Sequence, residues 1–349
     1  MNIELDQKGR ASTSFLASLA GFGGQLNDNI SRDAVSAGLN ESTLDVDRTR
    51  RAEQIEAALS KSKSFQLEKL INEWLSINHG LISIEAFHEL GDAITEKLSS
   101  TPQGPCKLEL NQHCHLPDYW KNTEIHRTTG GWNGHEHMGF IHREIIHRRF
   151  VAARYPWKIE QQRSDVLEEL PKQYQYDSIL EMGCGTGQYT KALKERFPLA
   201  DIWGCDLSET LLIESQRIAN ENNWELNLFQ AAAENTGLDS DSFDLVTSYI
   251  LLHELPANII IKVFEEAFRL LKPGGVIMMS DTQPLREMNK FSEWRTLHRA
   301  KYGGEPYWEE ANSLNFVEIL KDIGFLDVSS YGLDASSYPW ITKGIKPNG

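Results

Sequence analysis

Asp177-Ser-Ile-Leu-Glu-Met-Gly-Cys-Gly-Thr-Gly-Gln-Tyr-Thr190 decides the fold, because an apolar run passes directly into an acid and three glycines spaced two apart. Gly183, Gly185 and Gly187 let the backbone bend sharply and approach a ligand closely. The Gln188–Phe197 segment that follows has helical spacing and aims its positive end at the same place. A dinucleotide turn, G-x-G-x-x-G, would put its last glycine at position 188, where this chain has Gln188, so the spacing argues against NAD or FAD. A P-loop is excluded because no Lys-Ser/Thr follows the glycines.

The segments after the turn narrow the reading. A second apolar run, Asp201-Ile-Trp-Gly-Cys-Asp206, ends in a carboxylate about twenty residues past the glycines, where an acid accepts both hydroxyls of a ribose. Ala232-Ala-Glu234 follows the apolar Leu226–Phe229. Phe243-Asp-Leu-Val-Thr-Ser-Tyr-Ile-Leu-Leu-His-Glu-Leu-Pro256 and Leu270-Leu-Lys-Pro-Gly-Gly-Val-Ile-Met-Met-Ser280 complete the series. In this order the motifs, within residues of about 150–345, resemble the class I S-adenosylmethionine-dependent methyltransferases, most closely the small-molecule group that includes the quinone-biosynthesis enzymes.

The resemblance implies S-adenosylmethionine as cofactor and a set of positions that hold it. Glu181 would reach the methionine amine, the backbone of Gly183, Cys184, Gly185 and Gly187 would pass beneath the methionine part, and Asp206 would hold the ribose. Leu207 would flank the adenine, the amide of Ala233 or Glu234 would read its edge, and the Ser248–Tyr249 backbone would touch the methionine end. Ala232 stands where the family often has Asp, which leaves open whether Glu234 replaces that carboxylate.

A chain of 349 residues suggests two domains, and 40% hydrophobic with 24% charged residues describes a soluble protein. The net charge of −15 argues against nucleic acid and anionic membranes as partners. Cys106, Cys114, Cys184 and Cys205 lack C-x-x-C spacing and read as reduced thiols. The start Met-Asn-Ile-Glu-Leu-Asp is not a secretory leader and no apolar run spans a bilayer, so the expected location is cytoplasmic.

Residues 1–46, rich in Ser, Ala, Gly and Asn, read as a flexible arm or one that docks on a partner subunit, which would make a homodimer. Residues 47–150 form a helical and histidine-rich cap, with three helices to about Leu98 and a breaker cluster at Ser99–Pro105. Residues 151–349 form the catalytic domain, an α/β Rossmann-like fold whose mostly parallel seven-stranded sheet has helices on both faces. Expected strands lie near 178–182, 202–206, 226–230, 244–249 and 274–281, with a final antiparallel pair near 325–332 and 338–343.

Methyl transfer is an in-line displacement, so positioning the acceptor supplies most of the rate and a base is optional. His253, just after the fourth strand, is the first base candidate, and Asp281, just after the fifth, is the second. Seven of the eleven histidines fall between His113 and His147, a stretch open to three readings. The H-x-H pairs His113/His115 and His135/His137 invite a metal, but their spacing matches no zinc pattern, and no metal is expected. A lid is favoured: His126 to His137 is a glycine-hinged loop in which Trp132 excludes water and His126, His135 or His137 meets the substrate. Plain structural histidines are the third reading. The insertion Thr282–Glu310 adds Tyr302 and Trp308 to the expected substrate pocket. The function that follows is methyl transfer to a small-molecule oxygen, nitrogen or carbon; a non-methylating elimination or cyclisation on the same cofactor and a non-catalytic scaffold are its rivals.

Overall fold

The computed structural model describes residues 4–100, 103–111, 116–128, 131–152 and 159–348. Four helices come first: α1 (Gln7–Ser36), α2 (Arg48–Ala58), α3 (Lys63–His88) and α4 (Asp92–Ser99). Strand β1 (Lys107–Glu109), helix α5 (Asp118–Lys121) and the short α6 (Met138–Phe140) lead into α7 (Ile141–Val151), which is wound with the wider i→i+5 spacing of a π-helix. The α/β half then runs α8 (Ile159–Glu168), β2 (Ser178–Met182), α9 (Gln188–Arg196), β3 (Asp201–Asp206), α10 (Glu209–Glu221), β4 (Asn227–Gln230), β5 (Phe243–Tyr249), α11 (Ala257–Leu270) and β6 (Leu271–Asp281). It ends with α12 (Lys290–Gly303), α13 (Trp308–Ser313), α14 (Phe316–Ile323), β7 (Leu326–Gly332) and β8 (Trp340–Ile345).

The strands form one sheet in the order β1-β4-β3-β2-β5-β6-β8-β7, parallel except where β8 pairs with β6 and β7. The Rossmann-like α/β architecture read from the motifs is therefore present, with eight strands rather than seven. The added strand is β1, aligned parallel to β4 with Lys107 beside Asn227. Three residues are too few to show an alternating pattern, and β1 is fixed by side chains far away in sequence. Asn220 Oδ1 accepts from the Cys106 amide at 2.9 Å, and Gln216 Nε2 donates to the Cys106 carbonyl.

Buried strands read as continuous apolar runs because both sheet faces are covered. Ile179, Leu180, Met182, Leu245 and Val246 have no exposed surface, and they divide between two cores, one on each face of the sheet. The chain order reverses between β2 and β5, and a parallel sheet opens a crevice at the carboxyl ends of the strands where that happens.

The segment expected to be a flexible or docking arm contains a 30-residue helix packed against α3 of its own chain. Its buried positions, among them Gly9, Thr13, Leu16, Ala20, Gly23 and Ile30, follow helical spacing. Most are small, which is why the stretch reads as a flexible or docking arm and why the two helices can lie close. A Cβ on Gly23 would already touch Ile71 at 3.2 Å. The helical core takes in Trp294 of α12, so the N-terminal helices and the insertion of the α/β half share one interior. Ion pairs strengthen that junction: Glu293 meets Arg48 and Arg51, and buried Glu68 meets Arg295 and Arg299.

The cap meets α10 through α6, and the contact is tight. A Cβ on Gly139 would lie 2.1 Å from the Thr210 carbonyl oxygen, whereas one on Gly24 in α1 would meet nothing within 4 Å. Backbone cannot step aside, so Gly139→Ala should cost about 1–3 kcal/mol or more by overpacking. Gly24→Ala should gain about 0.4–1 kcal/mol by restricting the unfolded chain. Urea denaturation midpoints should move in opposite directions for the two variants.

Candidate functional site

A cavity of about 780 Å³ opens at the crevice, within the range of roughly 300–1,000 Å³ usual for small-molecule sites. One end is built by the glycine turn. Gly183, Gly185 and Gly187 have φ of 68°, 52° and 73°, the left-handed region that a side chain resists. The turn is held from outside its own segment, since the Gly185 amide donates to Asp206 Oδ2 at 2.9 Å. Asp206 Oδ1 accepts from the Ser208 amide at 2.8 Å, and Ser208 Oγ caps α10 by accepting from Leu211.

Glu181 lies at the end of β2, 2% exposed, bonded to Thr190 Oγ1 and lining the cavity. Burial pushes its carboxyl up to about 8 and that of Asp206 up to about 6. Neither makes an ion pair among the described residues. The buried carboxylate of Glu181 and the half-buried one of Asp206, both on the cavity wall and neither in an ion pair of its own, form a donor set that suits a ligand carrying an amine, a positive sulfur and ribose hydroxyls. Leu207, Ala231 and Ala233 supply an apolar slot beside them. Glu234 does not line the cavity; its carboxylate is taken by Tyr119 Oη at 2.8 and 3.0 Å, and Tyr119 itself closes that end. Tyr249 lines the cavity, whereas Ser248 is buried with its hydroxyl on the Met279 sulfur, and Gly187 is covered by Ser215.

Another part of the cavity wall holds His253, joined by the fold to Asp281, two residues named separately from sequence. His253 Nδ1 and Asp281 Oδ1 are 2.7 Å apart, both side chains nearly inaccessible. The carboxylate also accepts from the amides of Leu252 and Thr282, at 2.6 and 2.7 Å. A carboxylate has no proton to give, so Nδ1 donates and Nε2 is the nitrogen that a neutral ring leaves for the cavity it lines. Burial disfavours the charged ring, but Asp281 outweighs that and pushes His253 up to about 9. Burial likewise works against ionised Asp281, and the His253 charge with the hydrogen bonds holds it below the usual range. The Trp308 ring stands edge-on to His253 with centroids 4.8 Å apart.

His126 also reaches the cavity, but not as a free base. Its Nδ1 faces Glu305 Oε1 at 2.6 Å and its Nε2 faces Glu254 Oε1 at 3.2 Å, so both nitrogens are engaged. Burial opposes its charge and the two carboxylates overcome it, holding the ring protonated well above its ordinary value. The other oxygen of Glu305, Oε2, is buried and finds no hydrogen-bond partner among the described residues. Trp132 packs its ring on His126 and His142. Its carbonyl accepts from Ser208 Oγ and Thr210 Oγ1, which ties this loop to the end of β3. His142 and His147 also line the cavity, both pushed down to about 3 by burial, and Arg163 bonds His147 and Gln188.

The remaining histidine candidates lie elsewhere. His135 Nε2 is 3.2 Å from His88 Nε2, His135 Nδ1 accepts from the His137 amide, and both His135 and His137 pack on Phe87 away from the cavity. Tyr302 packs on His298 rather than lining the cavity. His113 and His115 lie outside the described residues. Among the described residues no group of three or more His, Cys, Asp or Glu is placed to hold a metal ion. Sequence reasoning missed Glu254, Glu305, Tyr119, His142, His147 and Arg163. Of these Glu254 carried a signal in its position next to His253, and His142 and His147 in belonging to the histidine-rich stretch.

Residues 179–275 match a family profile described as a methyltransferase domain. The chain carries a class I S-adenosylmethionine-dependent methyltransferase domain. A demethylmenaquinone methyltransferase of Lactococcus lactis is 35% identical over 168 residues, 48% of this chain and 57% of its own length. A malonyl-[acyl-carrier protein] O-methyltransferase of a Paenibacillus is 28% identical over 193 residues, 53% of this chain and 65% of that one. The chain thus spans less than two thirds of these curated relatives. Among solved structures, an O-methyltransferase family protein from Burkholderia thailandensis is 19% identical with a TM-score of 0.45, over 55% of this chain and 57% of its own. The cofactor of the methyltransferase domain is S-adenosylmethionine, and Glu181, the glycine turn and Asp206 are the residues that fit it.

Glu181 should be a functional group kept at the expense of stability. With its folded value near 8 and its unfolded value near 4.5, the folded state holds the proton more tightly, so its contribution worsens as pH rises from 4.5 to 8. Glu181→Gln should therefore raise the thermal midpoint of the ligand-free protein at pH 8.5, leave it nearly unchanged at pH 4, and weaken S-adenosylmethionine binding at least tenfold by calorimetry.

Proposed function

We propose that the chain transfers the methyl group of S-adenosylmethionine to a hydroxyl of a small molecule, with His253 as general base and Asp281 as the residue that orients it. The observation that carries this reading is the buried His253–Asp281 pair on the cavity wall. Bound at the glycine turn, the cofactor supplies an electrophilic methyl carbon on a sulfonium. The chain's own residues do the rest. Glu181, the turn and Asp206 hold and orient the donor; Trp132, Trp308, Tyr249 and Tyr119 line the space beside it and keep water out.

An aliphatic or aromatic hydroxyl keeps its proton at neutral pH, and an oxygen that loses it on reaction is a far better nucleophile. Nε2 of His253 takes that proton while Asp281 stabilises the resulting imidazolium through Nδ1. A base near 9 is matched to phenolic or enolic hydroxyls, whose own values lie near 10. His126 contributes by position. Protonated and clamped between Glu254 and Glu305, it fixes the loop of Trp132 over the cavity, and it has no free nitrogen with which to accept a proton.

The test is a panel of phenols, enols, alcohols and amines incubated with S-adenosylmethionine, with the product read by mass and by the methylated atom. Methylation at oxygen is expected; a methylated amine or carbon, or a product without an added methyl group, overturns the reading. His253→Ala should lower kcat by about 10²–10⁴ with cofactor affinity within about twofold of the parent. The histidine must be neutral to accept a proton, so kcat/KM should climb as pH rises toward 9. Asp281→Asn removes the charge that lifts the ring, so the inflection should move down by more than one pH unit.

A further inference from the structure

Helix α3 has two apolar faces, and among the described residues one of them is left partly uncovered. Leu75, Ser76 and His79 line the cavity from one side. On the opposite side Leu67, Leu70, Trp74, Ile77 and Leu81 form a stripe that is 36–61% exposed. Two residues of α1, Phe15 and Phe22, widen the stripe at 53% and 45% exposure, and the Phe15 ring stands edge-on to Trp74 at 5.8 Å. A helix apolar all round belongs in an interior. Side chains of this size expose roughly 100 Å² each at such fractions, so the seven present roughly 700 Å². That exceeds the roughly 300–600 Å² of the largest patch on a typical monomer and approaches the roughly 800 Å² that each partner contributes to a stable interface.

We propose that a second copy of this chain covers the patch, with the two α3 helices antiparallel across a two-fold axis at Trp74. The sequence of α3 is self-complementary about that residue. Leu67 and Leu81 lie seven positions to either side, Leu70 and Ile77 four and three, and Lys63 and Glu85 eleven. Three, four, seven and eleven residues are close to whole turns, so all of these face the same way as Trp74. Turning one copy about the axis sets Leu67 against Leu81, Trp74 against Trp74, and Lys63 against Glu85 at both ends, with Leu70 one position out of register from Ile77. A two-fold interface needs this pattern, in which one patch is its own complement. Glu85 has a partner in its own chain, Lys8, but at 3.9 Å with both side chains more than two thirds exposed, which leaves room for a second cation. The net charge of −15 disfavours an anionic membrane as the occupant. Covering the outer face of α3 would stiffen the wall that its inner face gives to the cavity. The inference is independent of the acceptor chemistry.

Sedimentation velocity of the full chain at tens of micromolar tests it. The unaltered protein should run at twice 39.7 kDa. Leu70→Glu and Leu81→Glu, each shown to be folded by circular dichroism, should raise the dimer dissociation constant at least tenfold while binding S-adenosylmethionine like the parent. Lys63→Glu alone should weaken the dimer, and adding Glu85→Lys should restore it, because each changed end then meets the other's changed charge. A monomer at every concentration overturns the proposal, as does a dimer indifferent to Leu70→Glu. A double exchange that fails to recover the dimer overturns the antiparallel arrangement. A monomer that co-sediments with neutral phosphatidylcholine vesicles assigns the patch to a lipid surface instead.

Discussion

The hydrogen bond from the Gly185 amide to Asp206 Oδ2 holds this molecule's working end together. It ties the turn after β2 to the end of β3, and the same carboxylate passes the constraint on through the Ser208 amide. Ser208 Oγ then reaches the Trp132 carbonyl and Asn133 Oδ1, so one chain of short polar contacts runs from the cofactor turn to the loop over the cavity. The glycine turn and the Trp132 segment are thus set by a single connected network. Buried networks of this kind specify one arrangement because a broken link leaves an unsatisfied group behind.

The electrostatics of the cavity divide by function. At the glycine turn, Glu181 is buried and Asp206 half-buried, neither has an ion-pair partner of its own, and loss of solvent pushes both toward protonation. That is a cost in the empty protein and a source of affinity when a positive ligand arrives. On the acceptor side the carboxylates are paired with imidazoles, Asp281 with His253 and both Glu254 and Glu305 with His126. The two pairs are not equivalent. Asp281 engages one nitrogen of its histidine and leaves the other for the cavity, whereas the two glutamates consume both nitrogens of theirs. Geometry therefore separates a histidine with one nitrogen engaged from one with both engaged.

The helical cap is more than a cover. Its core includes Trp294 of α12, and its ion pairs to Glu293 and from Glu68 fasten it to the insertion after β6. The insertion carries Trp308 and leads through Glu305, so the N-terminal helices and the α/β half together shape that part of the cavity. The segment of α1 shows how composition misleads. Gly, Ala and Ser suggest a flexible or docking arm, yet in a helix they are the residues that let a neighbouring backbone approach.

The sequence by itself determined the strand–turn–helix unit and the positions of the strands from β2 onward, because these depend on local features, namely apolar runs, three glycines spaced two apart and acids at fixed spacing; the cofactor class followed from the resemblance of these motifs to a known family. It could not place β1, whose three residues are held by Asn220 and Gln216. It named His253 and Asp281 without joining them, since 28 residues of chain separate two groups that only sheet pairing brings to 2.7 Å. It gave His126 and His135 the same standing, although one reaches the cavity and the other stacks on Phe87. Tertiary structure decided these matters for one physical reason: a side chain's role is set by which charges and walls surround it, and those come from distant parts of the chain.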